Sequence, residues 1–92
     1  TQAQAQQERI VNDLIHCMVD LRMEDFETVL DNYIMAKGVE RTITQIIFPF
    51  LERIGILWLT NHVNPAQEHL VTNIIRQKLI IGIEGVSSHV SL

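Results

Sequence analysis

Apolar residues in this chain recur at every third or fourth position, and nowhere do they alternate with polar ones over the length of a strand. That spacing puts them on one side of an α-helix and leaves no half-buried β-sheet to build. Ile10, Leu14, Met18 (or Cys17) and Leu21 form the first stripe, with Glu8, Asn12, Asp13 and Asp20 opposite. Phe26, Val29 or Leu30, Tyr33 and Ile34 form a second. Ile43, Ile46 or Ile47, Phe50, Ile54 and Leu57 or Trp58 form a third.

Local signals mark the ends of these helices. Glu24, Asp25 and Glu27 suit the positive end of a helix over residues 23–37, Lys37 suits its negative end, and Gly38 can take the left-handed cap. Pro49 lacks the N–H that a helix interior uses, so a kink, or a break between two shorter helices, is expected near Ile46. Asn64-Pro65-Ala66-Gln67 reads as an N-cap, a proline at the first helical position and a glutamine at the third, a capping box. The expected fold is all-α: a four-helix bundle, antiparallel with short connections, with helices over residues 8–21, 23–37, 40–61 and 65–84. Residues 1–7 would be a linker or frayed helix start, 8–84 the bundle, and 85–92 a C-terminal tail or linker to a missing domain. Ile10, Leu14, Phe26, Leu30, Ile46, Phe50, Ile54, Leu70 and Ile74 should be buried.

The fourth helix is apolar on more than one side. Leu70, Val71, Ile74, Ile75, Leu79, Ile80, Ile81 and Ile83 do not fit a single stripe. A second buried face implies another domain, a partner subunit, a large ligand, or a central place in an irregular bundle. Gly55, inside the third helix, weakens it by up to ~1 kcal/mol against alanine and points to close approach of something bulky.

Composition narrows the function classes. The 92 residues, 47% hydrophobic, suffice for one small ordered domain. The single Cys17 excludes an internal disulfide and a cysteine-built zinc site. The net charge of −4, with seven scattered basic residues, leaves no basic face for phosphates, so this segment should not contact DNA itself. The longest apolar stretch, Ile43 to Leu59, is interrupted by Thr44, Gln45, Glu52 and Arg53 and falls short of the ~18 residues of a membrane span. A cytoplasmic location is expected. The chain starts at Thr1 and is expected to be a fragment of a longer protein.

There is no Gly-rich phosphate loop, His-Glu-x-x-His pair or serine elbow, so an enzyme is not expected. The polar residues that stand out surround the turn between the third and fourth helices. Trp58 and His62 are four apart on one helix face, Glu68 and His69 open the next helix, and Asn73 follows His69 by one turn. Singly, each has an ordinary role: a lone tryptophan in a core, a glutamate at a helix N-terminus, a structural histidine. The spacing of His62, Glu68 and His69 fits no standard metal site.

Taken jointly, Trp58, nine residues, then Glu68-His69 resembles the signature of the helical cobalamin-binding module of light-sensing transcriptional regulators of the MerR superfamily. Ile54-Gly55-x-Leu57-Trp58, Ala66-Gln67-Glu68-His69 and Asn73-x-Ile75-Arg76-x-Lys78-Leu79 resemble it too. The resemblance covers roughly residues 8–84, most specifically 50–80. It implies a helical cap above the corrin ring of adenosylcobalamin, with a separate Rossmann-like domain holding the cofactor from below and an N-terminal winged-helix module reading DNA. It also implies that Trp58 packs against the upper axial group, that Glu68 and His69 hydrogen-bond the adenosyl sugar and base, and that Gly55 leaves the cofactor room. Without the Rossmann-like domain, this segment is expected to carry no cobalamin and to self-associate.

The sequence departs from that family where photosensor members carry a histidine directly after the tryptophan, as the ligand that captures cobalt after photolysis. This chain has Leu59 there, and His62 is the nearest substitute. Two other readings stand beside the regulator: the helical cap of a corrinoid methyl-transfer protein, and a ligand-free helical oligomerisation module. The Glu68-His69 pair disfavours the former, because a methyl group offers nothing to hydrogen-bond.

Overall fold

The computed structural model describes residues 1–60 and 63–90, with side chains as far as Gly82. Four helices make up the fold: α1 (Gln2–Val19), α2 (Met23–Lys37), α3 (Val39–Leu59) and α4 (Pro65–Val90). No strand occurs among the described residues.

α1 starts at Gln2 rather than at residue 8, so most of residues 1–7 is helix and not a linker. Thr1 Oγ1 accepts from the Gln4 N–H at 3.2 Å, and Gln4 Oε1 accepts from the Thr1 ammonium at 3.3 Å. This is the same type of capping box that is legible at Asn64. At the other end, the Arg22 N–H donates to Cys17 O (2.8 Å) and the Leu21 N–H to Met18 O (3.2 Å). That pair is a Schellman closure, and it holds Leu21 at φ 57°, the left-handed position usually given to glycine.

α2 matches its expected bounds. Gly38 alone joins it to α3. Its φ of 89° is positive as expected, but its ψ of 165° lies outside the left-handed helical well, in a region open essentially to glycine. The Gly38 N–H closes α2 on Ile34 O, and its carbonyl accepts from the buried Thr42 hydroxyl at 2.7 Å.

The irregularity expected near Pro49 takes the form of a π-helical segment, Ile43–Ile47, inside α3. The Phe48 N–H bonds Ile43 O, five residues back. The wider turn relieves the clash between the proline ring and the preceding carbonyls, so α3 continues to Leu59 instead of breaking.

α4 begins as expected. The Gln67 N–H donates to Asn64 Oδ1 at 2.9 Å, the Asn64 N–H donates to Gln67 Oε1 at 3.1 Å, and Gln67 Nε2 also reaches Val19 O at 3.2 Å, tying the start of α4 to the end of α1. The helix runs on to Val90, past the expected end at residue 84 and through most of the expected tail over residues 85–92. Glycine weakens a helix without breaking it, so Gly82 and Gly85 do not stop it.

α1 packs against all three other helices, and α4 lies on α1 and α2. Leu14, Met18, Phe26, Leu30, Ile46, Phe50 and Val71 are fully buried, and the rings of Phe26 and Phe50 meet edge to face, centroids 5.4 Å apart. α4 buries Val71 and Ile75, not the expected Leu70 and Ile74. Leu70 is 46% exposed, while Ile74 and Ile10 are half-buried. In a helix apolar on several sides, a one-residue shift turns the buried face by about 100° and the sequence offers nothing to oppose it. α3 is long and apolar enough to cross a membrane by length and composition alone (21 residues, hydropathy 1.3). Ile46, Ile47, Phe50 and Ile54 are nonetheless spent on the bundle core.

Candidate functional site

α3 has two apolar sides. Ile46, Ile47, Phe50 and Ile54 turn into the bundle, while Phe48, Leu51, Trp58 and Leu59 remain exposed on the other flank with Gly55 among them. Residues 51, 55, 58 and 59 are three or four apart, so they share one helix face. Trp58 is 52% exposed; it is not the core tryptophan its rarity would suggest. Gly55 is exposed and a Cβ there would meet nothing within 4 Å, so no described residue makes the close approach that its presence in a helix predicted. That close approach occurs at Gly82, where a Cβ would stand 2.6 Å from Cγ2 of Val39 at the start of α3. The apolar company around Trp58 was readable from its spacing, once the buried stripe is known to run through Phe50 and Ile54.

Beyond the α3–α4 corner, Glu68 lies in the first turn of α4, where the aligned N–H groups favour an anion. It is half-buried and His69 is exposed. Neighbours on a helix diverge by about 100°, so the pair does not point one way. His69 and Asn73, four apart, share an exposed face, and Ile80 continues it. Among the described residues, no hydrogen bond or ion pair engages the Glu68 carboxylate, the His69 imidazole or the Asn73 amide. Trp58 thus lies at the end of α3 and Glu68 and His69 in the first turns of α4, on either side of the connection between the two helices. His62 lies outside the described residues. No cluster of His, Cys, Asp and Glu that could hold a metal ion occurs among the described residues.

A groove of about 520 Å³ between α1 and α3, lined by Gln7, Val11, Gln45, Pro49, Arg53 and Ile56, contains none of these residues. Cys17 is buried, and burial raises its thiol pKa.

A family model described as B12 binding domain matches residues 10–81, spanning parts of all four helices and the whole corner. No curated protein and no solved structure matches the chain. The match covers more than three quarters of the sequence, and the chain belongs to the family of helical, cobalamin-binding B12 binding domains.

Proposed function

We propose that this domain is the effector-binding cap of a MerR-type transcription regulator, covering the upper axial face of adenosylcobalamin. The observation that carries this reading is the pair of helix ends: an exposed indole beside an open notch at the end of α3, and in the first turns of α4 a carboxylate and an imidazole that no other described residue uses. These residues fit the cofactor. A flat apolar face of Leu51, Gly55, Trp58 and Leu59 has room for a large ligand, and Glu68 can accept from ribose hydroxyls through charge-assisted bonds. When bound, adenosylcobalamin supplies a weak cobalt–carbon bond. The role of this chain is to keep water from that bond with Trp58 and to select the adenosyl group with Glu68 and His69.

In this reading the domain binds and does not catalyse. It works in the cytoplasm, within a homo-oligomer. A Rossmann-like domain grips the other face of the cofactor, and DNA is met only through a separate winged-helix module. The polar pair favours this over a cap for methyl transfer, because a methyl ligand leaves Glu68 and His69 without a task. The test is an absorbance titration of the full-length protein. Glu68→Ala should weaken adenosylcobalamin by ~1.5–3 kcal/mol, roughly ten- to a hundred-fold, and leave methylcobalamin and hydroxocobalamin nearly unchanged. Equal affinities in the variant and the wild type would remove Glu68 from the site, and a DNA affinity blind to the cofactor would remove the regulator.

A further inference from the structure

The groove between α1 and α3, about 520 Å³, is large enough to hold a small molecule. Its floor is apolar: Val11 is buried, Pro49 is half-buried and Ile56 is 59% exposed. Glu8 on α1 and Glu52 on α3 stand on opposite walls, both exposed. Arg53 lines the same groove and does not neutralise them. Its guanidinium donates to the neutral side-chain amide of Asn12 on α1, and no ion pair to Glu8 or Glu52 occurs among the described residues. Two carboxylates against one engaged guanidinium leave the lining negative. Donors are scarce as well: Pro49 has no N–H, and Gln45 Oε1 is already taken by the Tyr33 hydroxyl at 2.6 Å. The groove is thus apolar below and negative on both sides.

We propose that this groove binds a linear aliphatic diamine, with one ammonium on Glu8, the other on Glu52, and the methylene chain over Val11, Pro49 and Ile56. Charge complementarity sets the class. An anion would meet like charge, and a monoamine would leave one carboxylate unpaired. Length sets the size. The lining spans residues 4–11 of α1 and 45–56 of α3, roughly 10–16 Å, which suits one extended small molecule and falls short of the roughly 18 Å of a minimal partner helix. Exposed ion pairs are individually weak, so both carboxylates and the apolar floor are needed together, and the affinity is modest. The groove contains neither Trp58 nor Glu68, so the proposal stands apart from the cap function. A diamine held there ties α1 to α3 and stabilises the bundle by mass action.

The test is isothermal titration calorimetry of the full-length protein at about 0.15 M salt with diaminopentane, pentylamine and pentanol. The diamine should bind with a Kd below about 1 mM, pentylamine at least about three-fold more weakly, and pentanol without detectable heat. Glu8→Gln and Glu52→Gln should each weaken the diamine at least about three-fold, and the double variant at least about ten-fold. Both residues are exposed, so neither change threatens the core. Glu24→Gln removes an equally exposed carboxylate on α2, outside the groove, and should leave the affinity unchanged. An equal loss in Glu24→Gln would overturn the site in favour of general charge attraction. Pentanol binding as well as the diamine would overturn the charge selection. No heat from the diamine at about 10 mM would overturn the proposal outright, whatever the protein does with cobalamin.

Discussion

The ammonium of Lys78 on α4 lies 3.1 Å from each carboxylate oxygen of Asp31 on α2, with Glu27 at 3.5 Å. The Lys78 side chain is only 20% exposed, and with Val71 and Ile75 it fixes α4 on α2. The hydrogen bond to Asp31, helped by the charges of Asp31 and Glu27, raises its pKa above the ordinary 10.5 despite partial burial. A lysine whose pKa is raised on folding contributes stability that is whole below its unfolded value and is lost as pH climbs through the folded one. Lys78→Met should therefore cost about 0.5–1 kcal/mol near neutrality, since both carboxylates remain partly exposed. Urea midpoints of wild type and variant should converge as the pH rises above 10.5. A gap that stays constant through that range would assign the effect to packing.

Phe48 and Phe50 stand two apart in α3 and behave oppositely. Phe50 is fully buried against Phe26, while Phe48 is 60% exposed on the outer flank. Phe50→Ala should destabilise the domain by about 3–5 kcal/mol, and Phe48→Ala should change it by no more than about 0.5 kcal/mol. Chemical denaturation of the two variants measures both. Comparable losses would mean that the two faces of α3 are wrongly assigned.

Leu21 and Gly38 close α1 and α2, and both have positive φ. A leucine held left-handed is strained by ~1–2 kcal/mol, so Leu21→Gly should be neutral or stabilising by up to about 1 kcal/mol. Gly38→Ala should cost about 1–3 kcal/mol, because its conformation admits no side chain. Thermal melting should rank Leu21→Gly at or above wild type and Gly38→Ala below it. The reverse order would contradict the observed turn geometry.

What the sequence disclosed follows from how local the cause is. The Asn64–Gln67 capping box, the end of α2 at Gly38 with its positive φ, though not its ψ, and the irregularity ahead of Pro49 are decided within a few residues and were legible. The start of α1 was equally local, yet a run of glutamines and alanines without an apolar stripe concealed the Thr1–Gln4 box. The choice of Val71 over Leu70 was not legible, because it depends on which side of α4 meets α1 and α2. The two glycines differ for the same reason: Gly82 is crowded by Val39, 43 positions away in sequence, and Gly55 by no described residue. Of the corner, the residue types and their places at the end of α3 and the start of α4 were readable. The half-exposure of Trp58 and the partial burial of Glu68 required the packed structure.

The central claim is that the Trp58 flank of α3 lies against the cofactor. Hydroxyl-radical footprinting of the full-length protein in the dark, read by mass spectrometry, tests it at a single side chain. Trp58 is the only tryptophan of the chain and is 52% exposed, while Met35 on α2 is 85% exposed and provides an oxidisable control. Loading with adenosylcobalamin should slow Trp58 oxidation at least about five-fold, as expected for a side chain that loses most of its solvent contact in a buried ligand site, and leave Met35 unchanged. Equal oxidation of Trp58 with and without bound cofactor would contradict the account.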